Sequence, residues 1–142
     1  MKYLFACIVS LFCATAVIAQ TLPLPNVTAQ QYFNVIAQSA LQTQARLPIQ
    51  IDSNTTLVEL SFEPTMHVLT RHLKISSRIV NPAEALNRMQ RILISGNCTT
   101  PVVRMGLNYG IILVYQYYTE DMRFIGLVRV DQASCFAPPP ML

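Results

Sequence analysis

The sequence predicts an α+β domain: an antiparallel sheet of four to five strands, helices packed mainly on one face, and one disulfide. Three observations carry that expectation. Apolar residues recur at helical spacing behind clear capping residues, other stretches alternate with period two, and a single cysteine pair survives removal of a leader.

The leader comes first. Lys2 precedes an apolar run that ends in Ala16-Val17-Ile18-Ala19, the pattern of a secretory signal peptide over residues 1–19. The run is shorter than the roughly 20 residues needed to cross a bilayer, so no transmembrane segment is expected after cleavage. Cys7, behind Leu4-Phe5-Ala6, lies too near the start to be a lipidation site. Residues 20–27 are a proline-rich lead-in, 28–135 the single domain, and 136–142 a proline-rich tail.

Within the domain, Thr28 and Gln31 form a T-x-x-Q capping box that opens a helix. Phe33, Ile36, Ala37, Ala40 and Leu41 give it an apolar face, and it must stop before Pro48. Strands follow: a short one at 49–51, then one with Thr56, Val58, Leu60 and Phe62 on one side and Glu59 and Ser61 on the other. A turn at Glu63-Pro64-Thr65 leads into another alternating stretch from Met66. Asn81-Pro82-Ala83-Glu84 starts a second helix with Leu86, Met89 and Leu93 inward, which Gly96 is expected to end. Thr100-Pro101 starts a shorter helix closed by Gly110, and two strands at about 111–118 and 123–130 complete the chain. Alternation puts Tyr115 and Tyr117 in the core and leaves Tyr118 as the surface candidate.

Composition narrows function mainly by exclusion. Of ten Lys and Arg, Lys2 lies in the leader, leaving nine against seven acidic residues, too mild an excess for a nucleic-acid partner. Cleavage removes Cys7 and Cys13, so Cys98 and Cys135 are expected to pair as a structural disulfide; a redox pair would need C-x-x-C spacing. His67 and His72, five apart in a strand, point to opposite faces and cannot share a metal, and no other metal or cofactor pattern appears. No nucleophile motif or phosphate loop occurs, so no catalytic residue is nominated; scattered carboxylates leave a small hydrolase as an alternative. Asn26, Asn54 and Asn97 fit the glycosylation acceptor pattern, but all three are read as turn and cap residues. Arg71, Lys74, Arg78, Arg88 and Arg91 concentrate basic charge, either as a solvated face or as a surface for an anionic partner.

From Cys98 through Gly110, Tyr115, Tyr117, Ile125, Val128 and Val130 to Cys135, the chain resembles the small exported bacterial proteins called quorum-sensing-regulated virulence factors. Asp52 and Thr55-Thr56-Leu57 resemble that family's entry to its first long strand. The pattern departs at Met122, where the hairpin turn would hold glycine, and at Arg71 and Leu73, where tyrosines would stand. The resemblance implies a virulence-associated periplasmic or secreted protein of a Gram-negative bacterium, without catalytic residues. The function expected is an exported, non-enzymatic protein whose surface, including Tyr118, Arg71, Lys74, Arg78, Arg88 and Arg91, binds a protein or envelope component. An envelope assembly or inhibitor component is the further alternative.

Overall fold

The computed structural model describes residues 27–76 and 81–136. Its elements run α1 (Ala29–Gln44), β1 (Ile49–Asp52), β2 (Thr55–Glu63), β3 (Val68–Ile75), α2 (Pro82–Thr99), α3 (Pro101–Asn108), β4 (Ile112–Tyr118), β5 (Phe124–Val130) and a 3₁₀ turn (Ala133–Cys135). The fold is α+β. The expected signal peptide, most of the lead-in, all of the tail beyond Phe136, and Arg78 lie outside the described residues.

The five strands lie in sequence order, β1-β2-β3-β4-β5. Three of the four pairings are antiparallel, but β3 and β4 run parallel, from Val68↔Ile112 to Lys74↔Tyr118. The sheet is therefore mostly, not wholly, antiparallel. Two helices intervene between β3 and β4, and that long crossover is what allows the chain to return in the same direction.

Alternation is regular on the two central strands. Leu69, Arg71, Leu73 and Ile75 on β3 and Leu113, Tyr115 and Tyr117 on β4 are buried, while the residues between them are half-exposed. The buried side joins Tyr32, Phe33 and Ala40 of α1, Leu93 of α2, and Val103 and Leu107 of α3 in one core. Fully burying a side chain such as Leu57, Leu107, Val128 or Val130 contributes roughly 1.5–3 kcal/mol.

On β2 the simple alternation fails. Leu57 faces Leu73 and Glu59 faces His72, so Val58 is an extra residue in a β-bulge. The bulge places Leu57 on the same side as Leu60 and Phe62, and returns Thr56 to the side of Glu59 and Ser61.

The helices start where their caps require. Thr28 Oγ1 accepts from the Gln31 amide at 3.3 Å, and Gln31 Oε1 accepts from the Thr28 amide at 2.9 Å. In α1, Tyr32 and Ser39 complete the buried stripe that is centred on Ile36. Leu41 lies about 140° around the helix from Ile36 and is 73% exposed, so it does not belong to the apolar face. Asn81 Oδ1 accepts from the Glu84 amide and caps α2.

Gly96 does not end α2, which continues to Thr99. That extra turn carries Asn97 into the core and makes Cys98 part of α2 rather than the residue before the next helix. Gly106 of α3 lies directly against Tyr32, whose hydroxyl donates to the Val102 carbonyl at 2.9 Å; an added Cβ would approach that hydroxyl to 2.5 Å.

Candidate functional site

The residues nominated from sequence do not come together. Arg71 is 8% exposed and lies on the core side of β3, its guanidinium carbon 5.0 Å from the centre of the Tyr115 ring. Its position on β3 shares the parity of Leu69 and Leu73, so the expectation of a surface arginine is corrected. Arg88 is exposed on α2 and paired with Glu84 at 3.0 Å, and Arg91 is half-exposed on the same helix. Lys74 is half-exposed on the other side of β3, where Tyr118 is its register partner. Among the described members of the nominated group, only Lys74 and Tyr118 are neighbours on one sheet face.

Around that pair the structure assembles a row that sequence reasoning missed. His72 Nδ1 lies 3.0 Å from Glu59 Oε2 of β2. The His72 ring is 5.5 Å from that of Tyr118, and Tyr118 meets Phe124 edge-on at 5.6 Å. Glu59, His72, Tyr118 and Phe124 thus cross four strands, with aromatic spacing suited to favourable ring contacts. The Tyr118 hydroxyl donates to Gln116 Oε1 at 2.7 Å, and Gln116 faces His72 on one side and Leu127 on the other. Phe124 is 57% and Leu127 50% exposed. Half-exposed Ile112 and Val114 extend the apolar strip towards Val68.

A signal for this row existed in the apolar residues of β5, but a second bulge concealed it. The register shifts between Tyr117↔Gly126 and Tyr118↔Phe124, so Phe124 shares a face with Leu127 despite the odd spacing. The hairpin turn holds Met122 at φ 62°, a conformation glycine adopts freely.

The carboxylates are dispersed among structural partners. Asp52 accepts from the Asn54 amide, Glu59 meets His72, Glu63 accepts from the Thr65 amide, and Glu84 meets Arg88. Asp121 contacts Thr119 and Arg123, and Asp131 holds the Ser134 amide and hydroxyl together with Arg129. Asp131 is held below the usual carboxylate range chiefly by the Ser134 amide, against a smaller opposing effect of burial. Among the described residues, no three His, Cys, Asp or Glu side chains gather as a metal site.

His67 is not a strand residue. It occupies the turn before β3 at φ 53°, and its ring stacks on Phe33 at 3.8 Å. Asn97 is neither a turn nor a cap residue: it is buried, and its Nδ2 donates to the Leu93 carbonyl at 2.7 Å and the Tyr115 hydroxyl at 3.0 Å. Burial keeps it from accepting sugar in the folded chain. Its neighbour Cys98 is bonded to Cys135, the two Cα atoms 5.5 Å apart. Burial pushes the phenols of Tyr32, to about 12, and Tyr117 upward, so both stay neutral at ordinary pH.

No family profile and no curated protein matches the chain. Solved structures do. The pilotin EpsS of the Vibrio vulnificus type 2 secretion system superposes with a TM-score of 0.60 at 17% identity, covering 75% of this chain and 94% of that one. A Pseudomonas aeruginosa protein predicted to be secreted gives 0.61 at 17%, covering 78% and 97%. The Vibrio cholerae type 2 secretion pilotin AspS gives 0.56 at 15%, covering 75% and 94%. At these identities the likeness is one of fold. Among the described residues no helix is long and apolar enough to cross a membrane.

Proposed function

We propose that the chain is a non-enzymatic component of an envelope assembly, in the periplasm or outside the cell, that binds a protein partner. This takes up the assembly alternative of the sequence reading in place of its main one, an exported protein acting through an interaction surface with a virulence association. The observation that carries it is the open sheet face. Tyr32, Phe33, Leu93, Val103 and Leu107 of the helices share one core with Tyr115 and Tyr117, whereas among the described residues Ile112, Val114, Tyr118, Phe124 and Leu127 form a partly exposed apolar strip. Contiguous exposed apolar patches mark sites where proteins, membranes or ligands bind. The fold likeness to type 2 secretion pilotins supports a partner within a secretion apparatus.

The resemblance to quorum-sensing-regulated virulence factors belongs to the same proposal, since an assembly component of a secretion system would affect virulence through what is exported. The test is deletion in the native host, scoring assembly of the secretion complex and release of its cargo. Wild-type chain restores both, whereas a folded Phe124→Glu, Leu127→Glu variant does not. Normal assembly and release in the deletion strain would reject the proposal.

A further inference from the structure

We propose that protonation of His72 locks the aromatic row of the open face, so that the arrangement of that face follows the charge on the His72 ring. The biological use of the device rests on the docking role of that face; its chemistry does not.

His72 sits at the centre of the row. Glu59 Oε2 is 3.0 Å from its Nδ1, the Tyr118 ring is 5.5 Å away, and Gln116, which accepts the Tyr118 hydroxyl, is its register partner. A neutral imidazole holding its proton on Nδ1 donates to Glu59 and leaves a lone pair on Nε2. A proton taken up at Nε2 turns the Glu59 contact into an ion pair and places a cation within reach of the Tyr118 ring. Both changes favour one arrangement of His72 and Tyr118, and Tyr118 passes it to Phe124 through their edge contact.

Among the described residues, the groups facing His72 are few. β2 supplies Glu59, β3 supplies Lys74 two residues along, and β4 supplies the Tyr118 phenol. On β5, the residues in the adjoining rungs are Leu127 and Phe124, which do not titrate; Arg129, paired with Asp131, lies beyond them opposite Val114. Glu59 is the acidic group in direct contact, and its side chain and that of His72 are 51% and 23% exposed, so solvent protons reach the pair.

The test is NMR of the exported chain from pH 5 to 8, following the ring protons of His72, Tyr118 and Phe124. In the wild type the Tyr118 and Phe124 signals move together with those of His72. In His72→Gln they are flat, and in Glu59→Gln the Tyr118 excursion falls by at least half. Tyr118 signals that ignore the His72 titration, or still move in His72→Gln, overturn the inference. Because this readout needs no partner, it stands or falls separately from the docking role: a moving row on a chain dispensable for assembly sinks only the latter.

Discussion

Replacing both Cys98 and Cys135 with alanine tests how much of the fold depends on the covalent tie between α2 and the 3₁₀ turn that follows β5. The bridge spans a sequence separation of 37. In the loop-entropy relation, closing a loop of that length removes about 13 cal/mol/K from the unfolded chain, or about 4 kcal/mol at 25 °C. Set against the 5–15 kcal/mol typical of a domain, the double variant folds but loses a large share of its margin. Alanine avoids leaving a hydroxyl in the site of Cys98, which is buried. In urea the expected result is a midpoint lower by roughly 2 M. The slope should steepen, because the unbridged chain exposes more surface when unfolded. The sheet itself should persist, since β5 remains paired with β4 and Gly126 still lies against Leu86. A loss below about 1 kcal/mol with an unchanged slope would refute the reasoning.

Three smaller perturbations test local claims. Met122→Gly, at φ 62° on an exposed turn, should raise stability by about 0.5–1 kcal/mol, seen as a higher melting temperature; a fall would show that the side chain packs usefully. Asn97→Leu leaves the buried Tyr115 hydroxyl without its amide partner and should cost about 1–3 kcal/mol in urea unfolding, whereas a neutral result would mean the pair is dispensable. Asp131 has a carboxyl held below its ordinary range, so its stabilising effect is present above the unfolded-state pKa and is lost as pH falls through the lower folded value. Asp131→Asn should therefore lower stability at pH 7 and flatten its decline below about pH 4; an unchanged acid limb would contradict the assignment.

The helix starts were legible because caps are local: Thr28 with Gln31, and Asn81 with Glu84, act within three residues. The cysteine pair was legible because, with Cys7 and Cys13 assigned to the expected leader, only one pairing remained, and Cys98 and Cys135 are bonded. What the sequence concealed depends on distant partners. Gly96 looks like a helix stop, yet the helix continues because Asn97 gains Tyr115 and Cys98 gains Cys135 across the fold. The bulges at Val58 and beside Phe124 exist only relative to the neighbouring strand, and each reverses the side on which later residues lie. That is why Tyr118 was identified while Phe124 and Leu127 were missed. Arg71 was misplaced for a different reason: charge suggested the surface, while the parity of β3 dictated the core.

Site-specific photo-crosslinking from the open face tests the central claim most directly. A photoreactive residue at position 118, 124 or 127 of the exported chain, in intact envelopes of the native host, should give one discrete adduct containing a secretion-apparatus protein. The same group at Arg88, exposed on α2, should give none. Adducts from position 88 alone, or none from the sheet positions, would contradict the assignment of the open face as the docking surface.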